Sequence, residues 1–109
     1  RLLEQCKLDR WRITLIYFWL PAPEDAIARV ARRVSQGGHR IPLDVIVRRY
    51  YSGISNMRKL YLPLADDAEI YDNTDWKRTL IAEKREGLAL IVHDPARWAR
   101  RGFPPSRIR

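Results

Sequence analysis

The chain has 109 residues, which is enough for one small domain with one core and excludes a second domain. Lysine and arginine number 21 against 13 aspartate and glutamate, so the formal net charge is +8. The apolar fraction of 46% excludes a disordered chain, because so much apolar and aromatic surface offsets the entropy of ordering. The longest nearly uncharged apolar run, residues 13–22, is about half of the roughly 20 residues that a membrane-spanning helix needs, and prolines break it.

The amino terminus carries no signal-peptide pattern, and the single cysteine, Cys6, cannot form an internal disulfide. We therefore expect a cytoplasmic protein that has no membrane partner.

The first part of the chain predicts a helix, a strand and a second helix. Residues 1–11 have leucines at roughly helical spacing. Residues 12–20, RITLIYFWL, are β-branched and aromatic, which is typical of a central strand that is covered on both faces in a parallel sheet. In the next segment Pro23 predicts a helix start, and Gly37 and Gly38 predict its end. A strand followed by a capped amphipathic helix is half of a βαβ unit.

The second part predicts a long helix, a strand and a hairpin. Residues 41–65 place apolar side chains on one helical face, and Pro63 ends or kinks this helix. Residues 68–71, AEIY, predict a short strand, and residues 79–92 predict two strands of a hairpin. Asp94 then caps a short carboxyl-terminal helix.

Arginines surround the connection between the two central helices. Seventeen of the 21 basic residues are arginine, whose planar guanidinium group binds phosphate or carboxylate with two hydrogen bonds. In the connection, residues 37–42, the glycines leave backbone amides accessible to an anion, and His39 and Arg40 add donors. This pattern predicts an arginine-lined lid over a polyphosphate, or else solvated arginines beside an ordinary helix stop. The five arginines that lie off the apolar stripes of the two helices are Arg29, Arg32, Arg33, Arg48 and Arg49.

Other catalytic patterns are absent from the sequence. It contains no phosphate loop of the form G-x-x-x-x-G-K-[ST], no zinc-ligand spacing and no G-x-S-x-G nucleophile turn. Asp66 and Asp67 are either paired carboxylates for acid–base work or a solvated turn after Pro63, and the turn is the favoured interpretation because adjacent residues do not share a helical face.

Residues 18–73 carry a series of motifs in a fixed order. The series is L-P-x-P at residues 20–23, R-V-x-x-G-G-H-x-I-P at 33–42, R-R-Y at 48–50, then Gly53, Asn56 and Y-D-N at 71–73. It closely resembles the carboxyl-terminal half of the zeta-toxin-like P-loop kinases, which are often described as predicted ABC-type ATPases. The resemblance covers about half of the chain.

The resemblance implies an α/β fold and a single partial domain over residues 1–109. We expect a partial P-loop kinase fold with mainly parallel strands, flanking helices and a carboxyl-terminal hairpin, in which the phosphate-loop half is missing. The family binds ATP, with Mg in the complete protein, between the phosphate loop and an arginine-bearing lid. For this chain we expect weak or absent ATP binding.

The resemblance also assigns roles to individual residues. Arg33 and one or both of Arg48 and Arg49 are the lid arginines expected to contact the ATP phosphates, with His39 close by. Asn73 is expected near the adenine loop. The family's phosphate loop and catalytic acidic residue belong to the amino-terminal half and do not occur in this sequence. No catalytic residue and no metal ligand is therefore assigned in this chain.

The expected function is the lid and adenine-side half of an ATP-dependent phosphotransferase that is inactive by itself. Its expected partners are a nucleotide and either the missing amino-terminal half or an antitoxin-like protein, and uncovered strand edges favour self-association. The charge of +8 also suits a basic nucleic-acid-binding module, which is the less favoured alternative. The third alternative is a structural remnant without a ligand.

Overall fold

A computed structural model describes residues 2–74 and 77–99 of the chain, which form a four-stranded sheet and its flanking helices. A π-helical turn, Met57–Tyr61, lies between the helices Leu43–Asn56 and Leu62–Leu64. No helix within the described residues is long and apolar enough to cross a membrane. The elements in chain order are α1 (Leu2–Leu8), β1 (Thr14–Trp19), α2 (Pro23–Ser35), α3 (Leu43–Asn56), α4 (Leu62–Leu64), β2 (Asp67–Asp72), β3 (Thr79–Lys84), β4 (Ile91–Val92) and α5 (Pro95–Trp98).

The sheet is mixed, with the strand order β1-β2-β3-β4. β1 and β2 pair in parallel from Thr14 opposite Asp67 to Trp19 opposite Asp72. β3 pairs antiparallel with both β2 and β4. The α/β class, the flanking helices and the carboxyl-terminal hairpin are thus confirmed, but the expectation of mainly parallel strands is wrong for the described sheet. The short connections after β2 reverse the chain direction, whereas a parallel pair needs a crossover connection such as α2 and α3.

β1 lies at an edge of the described sheet, not at its centre. Along this strand, side chains alternate between the core and the surface: Trp19 is fully buried, whereas Ile16 is 54% and Phe18 is 44% exposed. The expectation of a central strand covered on both faces is therefore wrong. An apolar run shows what a strand is able to bury, but the neighbouring elements decide which face is covered.

The core occupies one face of the sheet. It contains two large residues of the α3 region, Ile54 and the adjoining Met57, which pack against strand residues. α2 contributes nothing to this cluster; its only buried residue is Pro23, and its apolar stripe faces α3 instead. The buried members of the core cluster are Trp19, Ile54, Met57, Ile70, Ile81, Ala82 and Trp98.

Pro63 distorts the long helix as expected. The amide of Leu62 donates to the carbonyl of Met57, five residues earlier, so the turn before the proline is wider than an α-helical turn. A proline ring clashes with the carbonyl four residues before it, and the wider turn relieves this clash.

Asp66 and Asp67 are structural residues. Asp67 is 7% exposed; its carboxylate accepts from Arg12 Nε at 2.6 Å and from the Glu86 amide at 3.1 Å. Asp66 accepts from the Ile13 amide at 2.8 Å. The hydrogen bond from the Arg12 guanidinium, with that from the Glu86 amide, lowers the pKa of Asp67 below its usual value. The solvated-turn interpretation is therefore wrong for Asp67, because its carboxylate joins Arg12, before β1, to the hairpin. Asp66 lies at the bend before β2, as the turn interpretation expects.

Candidate anion-binding site

α2, the link of residues 36–42 and α3 form a helical hairpin at the carboxyl end of β1. α2 begins with Pro23, and the Asp25 carboxylate accepts from the Ala22 amide at 3.1 Å. Tyr50 of α3 returns to the base of the hairpin, where its hydroxyl donates to the Leu20 carbonyl. Burial raises the pKa of Tyr50, so the hydroxyl stays protonated and remains a donor.

The two glycines of the link close the end of α2. Gly37 has a φ of +99°, and its amide donates to the Val34 carbonyl at 3.0 Å. The Gly38 amide donates to the Arg33 carbonyl at 2.8 Å, which completes a Schellman motif. A Cβ on Gly38 would lie 2.8 Å from that same carbonyl oxygen. The expectation that these amides are accessible to an anion is wrong, because the helix end uses both of them.

Four of the five predicted site residues have exposed side chains. Arg33 lies near the end of α2, His39 in the link, and Arg48 and Arg49 on α3. Within residues 2–74 and 77–99, none of these four side chains makes a hydrogen bond or an ion pair. Their donors are therefore accessible to a ligand. Asn73, the fifth, is half-buried directly after β2.

One hydrogen bond joins α2 to Asn73, the predicted site residue that follows β2. Arg29 Nη2 donates to the Asn73 carbonyl at 2.5 Å, and the Asn73 amide donates to the Trp19 carbonyl at 2.8 Å. Arg32 and Arg33 follow Arg29 by three and four residues, so the three side chains share one face of α2, which we call the arginine face. The arginine face thus starts at the carboxyl ends of the two parallel strands. Sequence reasoning grouped Arg29 with the other arginines but did not assign it this contact.

The carboxyl ends of parallel strands are the usual location of ligand sites in open α/β sheets. Asp72, which is 4% exposed, lies there, and its carboxylate is 2.8 Å from Arg97 Nε. Arg97 also pairs with Asp94 at 2.6 Å, so two carboxylates already neutralise this cation. Neither ion pair of Arg97 was predicted from the sequence. The cap position of Asp94, three residues before Arg97, is a signal for the Arg97–Asp94 pair alone. Arg97 thus joins α5 to the sheet, and an anion would compete with two carboxylates for it.

An apolar groove of about 550 Å³ separates α2 from α3. It lies on the side of α2 opposite the arginine face, because its α2 lining residues form the apolar stripe. Burying phosphate charge among apolar side chains is costly, so the groove does not suit a polyphosphate. The lining residues are Ile27, Val30, Ala31, Val34, Arg40, Ile41, Pro42, Leu43 and Ile46.

Exposed guanidinium groups lie on the outside of the helical hairpin. Arginine suits phosphate because its fork of donors matches the oxygens. The part of the chain that the structure describes has no group of three or more histidine, cysteine, aspartate or glutamate residues that suits a metal ion.

Comparisons with known proteins give no match: no family model fits the chain, and no curated protein and no solved structure resembles it significantly. The resemblance of residues 18–73 to the zeta-toxin-like kinases stays a prediction that depends on the motifs alone.

Proposed function

We propose that the chain binds the phosphates of ATP through the arginines of its helical hairpin and is the lid and adenine-side half of a zeta-toxin-like phosphotransferase in the cytoplasm. The observation that carries the proposal is the Arg29–Asn73 hydrogen bond. It sets the arginine face at the carboxyl ends of β1 and β2, where nucleotides bind in open α/β sheets.

The guanidinium groups have two tasks in this proposal. Arg33, with Arg48 or Arg49, holds phosphate oxygens by paired hydrogen bonds and stabilises the charge that develops during phosphoryl transfer. Mg²⁺ bound to ATP supplies further neutralisation of the phosphates in the complete protein. Arg29 is a positioning residue, because its guanidinium is bonded to the Asn73 carbonyl.

The chain by itself is not a complete kinase. Its sequence contains no phosphate loop, so we expect weak nucleotide binding and no phosphoryl transfer until an amino-terminal half supplies that loop. An antitoxin-like protein is a further expected partner.

A titration of the isotope-labelled chain with Mg-ATP, followed by NMR, tests the proposal. We expect shifts of amide signals at Arg33, Arg48 and Arg49, and near Asn73. The double variant Arg33→Ala and Arg49→Ala removes two exposed side chains that do not belong to the apolar stripes, so it keeps the fold and loses these shifts. The control is Arg10→Ala, because Arg10 is exposed and precedes β1, at the end of the strand opposite to the helical hairpin.

Two results would refute the proposal. One is an absence of shifts at ATP concentrations of about 10 mM, at which even a site with millimolar affinity is occupied. The other is an equal response of the double variant and the control. A short oligonucleotide that binds with a steep dependence on salt, in place of ATP, would instead support the nucleic-acid-binding alternative.

A further inference from the structure

The outer edge of β1 has no strand neighbour within the described residues. Within the described residues β1 has one neighbour, β2, and the other side of the strand is a sheet edge. The carbonyls of Ile13 and Trp19 bond to β2 residues or to the residue after β2. Because backbone groups alternate in direction along a strand, Thr14, Ile16 and Phe18 direct their amides and carbonyls to the open edge.

This edge lacks the features that normally prevent pairing. The strand, TLIYFW, contains no charged residue, no proline and no glycine. Proteins usually protect an open edge with lysine, proline, a bulge or a covering element. The side chains that stand beside these outward backbone groups are also exposed: Ile16 is 54% and Phe18 is 44% accessible.

From these features we infer that β1 pairs with β1 of a second copy of the chain, antiparallel across a twofold axis, to give a continuous eight-stranded sheet. Ile16 of one copy lies opposite Ile16 of the other, and Thr14 lies opposite Phe18. This register keeps surface residues beside surface residues, and it places Leu15 beside Tyr17 on the core face. The three outward residues of each strand then exchange cross-strand hydrogen bonds.

Charge complementarity favours the antiparallel orientation of a second copy. Arg10 precedes β1 and Glu24 follows it. The neighbouring charged groups already have partners within the chain: Arg12 bonds to Asp67, Asp25 accepts from the Ala22 amide, and Asp9 accepts from Gln5. Arg10 and Glu24 are both exposed. An antiparallel pair brings the basic end of one strand to the acidic end of the other, whereas a parallel pair would place like charges together. The uncharged strand itself adds no repulsion to a chain with a net charge of +8.

Sedimentation of the full 109-residue chain tests this inference over about 10 µM to 1 mM, where dimers of modest affinity dissociate. We expect a concentration-dependent dimer. Ile16→Lys places two like charges opposite each other on the twofold axis and should weaken the dimer at least about tenfold. The control is Leu88→Lys, which adds the same charge in the connection between β3 and β4, at a residue that is 69% exposed.

A charge exchange tests the orientation. Arg10→Glu and Glu24→Arg should each weaken the dimer, and the double variant should restore it. Hydrogen exchange adds a residue-level readout, since the amides of Ile16 and Phe18 should gain protection as the protein concentration rises. A strictly monomeric chain, or a dimer with equal affinity in the Ile16→Lys and Leu88→Lys variants, would overturn the inference. ATP binding does not enter either measurement, so the inference and the proposed function stand or fall separately.

Discussion

The hydroxyl of Tyr50 is the clearest place to perturb the helical hairpin. Tyr50→Phe removes the donor to the Leu20 carbonyl and keeps the ring in place. One partly buried hydrogen bond contributes about 1 kcal/mol of a total of about 5–15 kcal/mol for a domain. We therefore expect the melting temperature to fall by about 4–8 °C.

The adjacent tyrosine provides a matched control for Tyr50→Phe. Tyr51 packs edge-on against the Tyr50 ring, with 5.1 Å between centroids, and within the described residues its hydroxyl has no hydrogen-bond partner. Tyr51→Phe should leave the stability within about 0.5 kcal/mol of the original protein. Thermal unfolding followed by circular dichroism compares the two variants, and hydrogen exchange should show faster opening of α2 in Tyr50→Phe alone. Equal stability of the two variants would refute the hydrogen bond as the attachment of the hairpin.

Two glycine substitutions and one carboxylate substitution test other contacts by chemical denaturation. Gly38→Ala places a Cβ 2.8 Å from the Arg33 carbonyl oxygen and should destabilise the protein by about 1 kcal/mol or more. Gly53→Ala meets only the Tyr17 hydroxyl, at 3.5 Å, and should stabilise the helix by about 0.5–1 kcal/mol; destabilisation there would contradict the packing. The pKa of Asp67 is lower in the folded protein than its ordinary value of 3.8, so its contribution is complete well above that value and is lost as the pH falls through the folded pKa. Asp67→Asn should accordingly show a smaller loss of stability between about pH 5 and pH 3 than the original protein, and identical slopes would contradict this role.

Local signals in the sequence predict local structure well. α2 begins at Pro23 and ends before the glycine pair, as expected from proline and glycine chemistry. The strand at residues 68–71 and the hairpin after residue 79 are confirmed, because turn residues separate short apolar runs there.

Long-range contacts limit what the sequence predicts. The apolar run of β1 gives no information about which side of the sheet has a neighbour, so its edge position could not be inferred. The pair Gly37 and Gly38 fits both a phosphate-binding loop and a helix stop. Only the structure shows that the Val34 carbonyl accepts from Gly37 and the Arg33 carbonyl from Gly38. The contact of Arg29 with Asn73 joins residues 44 positions apart, and no local pattern predicts such a contact.

The closed end of α2 determines where the helical hairpin is able to bend. Both glycine amides are bonded to α2 carbonyls, so the backbone is held to the helix end as far as Gly38, and a change in the angle between the helices falls on residues 39–42. At the base, by contrast, the hairpin is joined to the sheet by residues 20–22, by the Tyr50 hydroxyl and by the last turns of α3, where Gly53 precedes the buried Ile54. Arg29, Arg32 and Arg33 share one helix, so a displacement of α2 preserves their mutual spacing, whereas their spacing to Arg48 and Arg49 depends on residues 39–42.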